Sequence, residues 1–314
     1  MLIARDAMAT RFEIAMPEVQ DPMRLRAAGE EALAEIQGIE ERLSLYRPTS
    51  EISRINVLAG SEPVRVSSEV FHLLEQCAQL SELSQGAFDP TIGPLMRCWG
   101  FLRGGGNTPD SEALALARES VGMRWVELDA DRSSVRFARP GMMLDLGAVG
   151  KGYALDVAVM RLREAGVANA LIHGGTSSVF GFGVQEDGTP WKVAIESRSP
   201  KSLSDGAGET RLLAVATLQD RALGVSAVWG KSFQSGGREL GHVMDPRLGH
   251  PVSHTALAAV RLASSLEADA LSTAMLALGV DGLDWLRGVR HGACGVVLPQ
   301  GGNARSLGDF ASCP

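Results

Sequence analysis

Residues 143–156 read MLDLGAVGKGYALD, an apolar run that ends in Asp145, breaks into glycines at 147, 150 and 152, and restarts as a helix carrying Lys151. Glycines let a backbone turn sharply and come close to a ligand, and helix N-terminal amides with a lysine favour negative charge. The chemistry on offer is therefore anion binding. Standard phosphate signatures do not fit. A Walker loop needs Gly at 145 and Ser or Thr at 152, where this chain has Asp145 and Gly152, and the dinucleotide order G-x-G-x-x-G is met here as G-x-x-G-x-G. A plain glycine-rich turn with a surface lysine is the alternative for this stretch alone. Asp145 weighs against it, because a carboxylate beside a phosphate cradle implies a metal ion or a ligand donor between them.

Three further stretches carry candidate chemistry. In LEADALSTAMLALG (266–279), Asp269 and Thr273 lie four apart, so on a helix they share a face as hard oxygen donors suited to Mg²⁺. The competing reading is a Thr hydroxyl bonded to the preceding turn and an aspartate favoured near a helix start. In GHVMDPRLGHPVSH (241–254), His242 and Asp245 flank two apolar residues before a Pro246 to Gly249 turn, which makes the imidazole either a base or a satisfied histidine of a rigid turn. Zinc on His242, His250 and His254 is disfavoured, since Pro251 opposes the helix that an H-x-x-x-H site needs. Gly174 and Gly175, after the apolar ANALIH, permit close backbone approach either to a flat ligand or to a neighbouring strand.

Positioning these groups requires a sequence of elements. Residues 2–16 alternate as one strand does. Amphipathic periodicity predicts helices over 25–43, from Ser67 or Ser68 to Gly86, and over 152–165, with a short helix around Ile52 and Ile55 capped by Thr49-Ser50. The segment 86–101, GAFDPTIGPLMRCWGF, is too rich in Gly and Pro for regular structure and too apolar for a solvated loop. It either lines a site or is a packed crossing in which Asp89 satisfies backbone amides beside Pro90. A helix over 110–120 and a hairpin around Ala130-Asp131 precede the central stretch. Strand signals then dominate from 168 to about 263, with 199–209 a plausible mobile loop, before helices near 266–278 and 281–289 and a last strand, ACGVVLP. Strands in runs and helices in separate blocks indicate an α+β architecture. No repeat or linker divides the chain, so residues 1–314 read as one domain, at most two intimately packed subdomains, with a weakly structured tail from about 301.

Composition narrows the partners. A formal charge of −7 with no basic run opposes nucleic-acid binding, and 45% hydrophobic with 21% charged residues is ordinary for a globular protein. Charges at 5, 6, 11 and 13 leave no apolar signal core, no lipoprotein cysteine follows, and no stretch approaches a membrane span. The expected site is the cytoplasm, or the periplasm if the N-terminus was trimmed. Cysteines 77, 98, 294 and 313 are scattered and read as buried or incidental thiols.

The order of the signals is more specific than any one of them. FDPTIGPLMRCWGF, LDLGAVGKGYALD, LIHGGTSSVFGFG, LGHVMDPRLGHPV and EADALSTAMLALG together resemble the ApbE family of FAD:protein FMN transferases over about residues 5 to 300. The resemblance implies mixed, largely antiparallel sheets flanked by helices, with FAD in a cleft between sheet and loops. It implies Mg²⁺-dependent transfer of FMN from FAD to a Thr or Ser hydroxyl of an acceptor flavoprotein, with release of AMP. On the matching positions, Met8, Tyr46, Ala87, Phe88, Asp89, Asp145, Lys151 and Met244 would contact FAD, while Ala148 (through its main chain), Asp269 and Thr273 would hold the metal. His242 would act as base with Asp245 orienting it, and Asp89 is the competing base. Departures from the family pattern fall at Thr176 (usually Asn), Gly150 (usually Ala) and Gly224 to Ala227 (usually A-T-S-G). Two other readings are an FAD pyrophosphatase that passes FMN to water and a protein that binds or stores FAD without turnover.

Overall fold

The computed structural model describes residues 1–17, 21–102, 104–198, 210–230 and 232–310. Strands β1 (Leu2–Ala7) and β2 (Thr10–Ala15) pair antiparallel, so the single strand expected over 2–16 is a hairpin. Its two turn residues, Met8 and Ala9, both have positive φ (50° and 57°), a turn that sequences usually mark with Asn-Gly. Helices α1 (Pro22–Leu43), α2 (Glu51–Leu58), α3 (Ser68–Leu83), α4 (Gly93–Cys98) and α5 (Ser111–Glu119) follow, with strand β3 (Val64–Arg65) between α2 and α3. Helix α4 lies within 86–101, against the expectation of no regular structure there, because its proline falls in the first turn, where a helix tolerates it. Side chains of Asp21, Ser50, Ser67 and Asp110 accept amides at the starts of α1, α2, α3 and α5. The expected hairpin is β4 (Val126–Asp129) with β5 (Ser134–Phe137), and the central stretch ends in α6 (Gly150–Glu164).

The second half supplies β6 (Ala170–Gly174), β7 (Ser178–Phe182), β8 (Trp191–Arg198), β9 (Thr210–Leu218), β10 (Arg221–Ala227), β11 (Ser232–Ser235), β12 (Arg238–Gly241), β13 (Met244–Asp245), β14 (His250–Pro251) and β15 (Thr255–Leu262). Helices α7 (Ser265–Leu278) and α8 (Asp281–Val289) and strands β16 (Cys294–Pro299) and β17 (Arg305–Leu307) complete it. Eight strands form the main sheet in the order β1-β2-β6-β7-β10-β15-β16-β17, antiparallel at each described pairing. The architecture is α+β.

Both faces of this sheet are covered, which explains the continuous apolar character of its central strands. On β15, Ala258, Val260 and Leu262 join the large core under the helices, whereas Leu257 and Ala259 join a second cluster with Trp191, Ile195, Ala216 and Leu218 of the β8-β9 hairpin. A third cluster gathers Leu95, Trp99, Phe101, Val121 and Met244. The tail expected to be weakly structured is held as far as residue 310. β17 pairs with β16, Phe310 is buried, and buried Arg261 donates to the carbonyls of Thr217 and Phe310 (3.1 and 3.0 Å). Cys77 and Cys294 are buried free thiols and Cys98 is half-buried. Residues 199–209, expected as a mobile loop, lie outside the described residues, as does Cys313. No helix among the described residues is long and apolar enough to cross a membrane.

Two glycines let α7 sit against its neighbours. A Cβ on Gly224 of β10 would lie 2.3 Å from the Ala268 carbonyl oxygen, and one on Gly152 of α6 would lie 2.3 Å from that of Ser265. These are backbone contacts that no rotamer change relieves. Gly224→Ala should therefore cost about 1–3 kcal/mol in denaturant unfolding. Gly60→Ala, where a Cβ would meet nothing within 4 Å, should change stability by less than about 0.5 kcal/mol. Equal effects at the two positions would contradict this packing account.

Candidate active site

The start of α6 and the start of α7 exchange carboxylates. Asp156 of α6 accepts from the Ser265 amide (2.7 Å) with one oxygen, and from the Leu266 amide (3.0 Å) and Ser264 hydroxyl (2.7 Å) with the other. In return, Asp269 of α7 accepts from the Gly152 amide at Oδ2 (2.8 Å). In a continuous helix that amide would point at the Ala148 carbonyl one turn back. Here it serves Asp269, and the Ala148 carbonyl is left outside the helical ladder.

Around Asp269 the donors are all hard oxygens. The Ser178 hydroxyl of β7 lies 2.9 and 2.8 Å from its two carboxylate oxygens. Thr273 donates to the Asp269 main-chain carbonyl (3.1 Å), as Ser272 does (2.9 Å), and Ser226 of β10 contacts both hydroxyls (3.0 and 2.8 Å). The competing reading of Thr273, a hydroxyl bonded to the preceding turn, thus describes its geometry without excluding a second use of the oxygen. Burial pushes the Asp269 carboxyl up to about 7, against the opposing pull of Lys151, Ser178 and the Gly152 amide. A buried carboxylate that still needs positive charge, beside a hydroxyl and a main-chain carbonyl, fits a small divalent cation that keeps other ligands on water or phosphate. Among the described residues no cluster of three or more His, Cys, Asp or Glu could hold a metal by itself.

Two loops wall this region. The Asp145 amide donates to the Pro90 carbonyl (2.7 Å) and the Gly93 amide to that of Met143 (3.2 Å), so 90–93 and 143–145 run together. Asn56 of α2 fixes Leu144 through both its amide and its carbonyl (2.7 and 2.9 Å). Asp145 Oδ1 accepts from the Gly147 amide (2.8 Å). Partial burial and then the Asp145 carboxylate raise the phenol of exposed Tyr46 above its ordinary value. Asp89 is buried and takes the Thr91 amide and hydroxyl (2.8 and 2.6 Å), the Met123 amide (2.9 Å) and the Ser81 hydroxyl (3.3 Å). This is the packed-crossing reading of Asp89, and it leaves its oxygens committed rather than free for base work.

His242 follows β12 at the C-terminal end of β10. A Cβ on Gly241 would lie 2.2 Å from the Val228 carbonyl, one on Gly230 would lie 3.7 Å from His242 Cε1, and the ring stands edge-on to Phe101 at 6.5 Å. It thus shares a strand end with Ser226. Asp245 has a different partner from the one expected. Its buried carboxylate is gripped by Arg247 (Nε to Oδ1 3.0 Å, Nη2 to Oδ2 2.7 Å), and the same arginine reaches the Ala277 carbonyl of α7 (3.3 Å). Asp245 therefore fixes the turn after His242 and ties it to α7. Met244, Ala87 and Phe88 are buried, so their side chains are packed into the protein rather than presented at its surface. Gly174 and Gly175 approach Phe12 and Thr10 across the strand pair, which is the packing reading of these glycines. Ser178, Asn56 and Arg247 carry no site signal in the sequence, whereas Asp156 closes the glycine-lysine stretch.

With this geometry in hand, comparison with known proteins is specific. A model of the ApbE family matches residues 8–297. An FAD:protein FMN transferase of Treponema pallidum is 33% identical over 274 residues, spanning 82% of this chain and 73% of that protein. The crystal structure of the ApbE protein of Thermotoga maritima matches with a TM-score of 0.84 at 25% identity, covering 97% of this chain and 96% of the other. That of the Pseudomonas stutzeri flavinyl transferase ApbE, in its apo form, matches with a TM-score of 0.83 at 27% identity, covering 100% and 98%. On the extent of the family match and of these likenesses, the chain belongs to the ApbE family.

Proposed function

We propose that this chain is an FAD:protein FMN transferase that moves FMN from FAD to a Thr or Ser hydroxyl of an acceptor flavoprotein. The observation that carries the reading is the meeting of the α6 N-terminus, with Lys151 and Gly152, and the hard-oxygen pair Asp269 and Thr273 of α7. Such a junction suits a pyrophosphate, the one polyanionic part of FAD. The Asp269 carboxylate, Thr273 hydroxyl and Ala148 carbonyl would hold Mg²⁺, which when bound neutralises charge developing on the pyrophosphate.

The acceptor oxygen attacks the FMN phosphorus, the bond from that phosphorus to the bridging oxygen breaks, and AMP leaves with the bridging oxygen. His242 takes the proton lost by the acceptor hydroxyl. Lys151 and the amides that open α6 bind and orient the phosphates. Tyr46, Met8, Asp145, Lys151, Met244 and the Ala87-Phe88 segment form the flavin nucleotide site in this reading, with Asp145 beside Tyr46. The donor set at Asp269 supports turnover over storage, since a binder has less need of a cation at the pyrophosphate.

Intact-mass spectrometry of an acceptor domain incubated with the protein, FAD and Mg²⁺ should show one added FMN, with AMP released only when metal is present. Free FMN without adduct would identify the pyrophosphatase instead, and intact bound FAD would identify a storage protein. His242→Ala should slow transfer by about 10²–10⁴-fold while FAD still binds; an unchanged rate would remove His242 as the base.

The raised carboxyl of Asp269 gives a signed pH dependence in chelator. Its folded value of about 7 lies above the ordinary 3.8, so its contribution to stability is complete below about pH 4 and is lost as pH rises through 7. Relative to Asp269→Asn, the wild-type midpoint of thermal unfolding should fall between pH 4 and 7 and then level off. A gap independent of pH would contradict the burial assignment.

A further inference from the structure

We propose that Ser178 is a positioning residue for the Asp269 carboxylate, selecting Oδ1 as the oxygen offered to a divalent cation. The inference rests on the reading of Asp269 as a metal ligand and adds what aims it. Ser178 is 1% exposed and lies on β7, opposite Gly224 of β10. Because Gly224 has no Cβ, the backbone of α7 at Ala268 and Asp269 comes down onto the sheet at that point. A side chain as short as serine then reaches both carboxylate oxygens (2.9 and 2.8 Å).

The donors are unequal. Oδ2 receives the Gly152 amide (2.8 Å) and a share of the single Ser178 proton, whereas Oδ1 receives only the other share. Lone pairs therefore remain on Oδ1. Gly152 alone would hold one oxygen and leave the group free to turn about its last torsion. Ser178 supplies the second point that stops the rotation. Outer partners of this kind fix the orientation of a ligand, and their loss typically weakens metal binding by about 10–100-fold.

The test is Mn²⁺ binding to the full chain with FAD present and no acceptor, read by the electron paramagnetic resonance of free Mn²⁺. Ser178→Ala should raise the Mn²⁺ dissociation constant by about 10-fold or more, and Ser178→Cys, with the same shape and a weaker donor, should fall between. The metal concentration that half-saturates transfer should rise for Ser178→Ala by the same factor, which puts the change in the metal requirement. The unfolding midpoint in chelator reports separately whether the variant is folded. Lower stability in chelator with unchanged Mn²⁺ affinity would overturn the proposal, as would a lower rate at saturating metal with unchanged affinity. If Asp269→Ala binds Mn²⁺ as the wild type does, the metal reading itself fails. If Asp269→Ala loses binding while Ser178→Ala keeps it, only the positioning role fails.

Discussion

The junction of α6 and α7 is the constraint on which the rest depends. Each helix begins with amides that its own turns cannot satisfy, and each is completed by a carboxylate from the other. Asp156 closes α7 through the Ser265 and Leu266 amides, and Asp269 closes α6 through the Gly152 amide. The partially positive start of each helix is therefore met by an anion of the other. Moving either helix along its axis would strand both carboxylates, so the exchange fixes register as well as distance.

Close approach follows from this register and is expensive elsewhere. α7 is buried on nearly every side because β10, β15 and α6 all press on it, and it is built from Ala268, Ala270, Ser272, Ala274 and Ala277 where larger side chains would hold the neighbours off. The cost is a carboxylate at 6% exposure whose charge the fold resists, with the carboxyl pushed up to about 7. A core optimised only for stability would place an apolar residue there. The same placement suits the proposed role of this group, in which a bound cation would add to the countercharge of Lys151 and desolvation would strengthen that attraction as well.

Much of this architecture was legible in the sequence, and the remainder fails for identifiable reasons. Periodicity and caps gave α1, α3, α5, α6 and α7, and the runs of apolar residues gave β6 to β10 and β15, because those patterns are local. The β1-β2 turn was not legible, since Met8 and Ala9 occupy conformations that sequences normally mark with glycine. The short pairs β11-β12 and β13-β14 carry no alternation long enough to read. Within the site, Lys151, Asp269, Thr273 and His242 stood out by residue type and spacing. Their joining did not: Gly152 and Asp269 are 117 residues apart, and the hydrogen bond between them is a property of topology. Ser178 gave no signal, because a serine in an apolar strand is commonplace until its partner is known. Asp89 and Asp245 stand out in the sequence as carboxylates, while the hydrogen bonds by which they hold a loop and a turn are visible only in the fold.

Two of the positions at which this chain departs from the pattern it resembles, Gly150 and Gly224, differ in what surrounds them. At Gly150, where alanine is usual, a Cβ would meet nothing within 4 Å, so the first turn of α6 would accept either residue without rearrangement. At Gly224, also usually alanine, a Cβ would fall 2.3 Å from a backbone oxygen of α7. The first departure is free of the packing, while the second is part of it: here α7 has settled onto β10 closer than an alanine allows. With α7 in that place, Asp269 lies within reach of a serine on β7 and Thr273 within reach of a serine on β10. A change of one methyl group on the sheet is thereby coupled to how two side chains on the facing helix are held, and sequence identity at those two side chains alone does not reveal it.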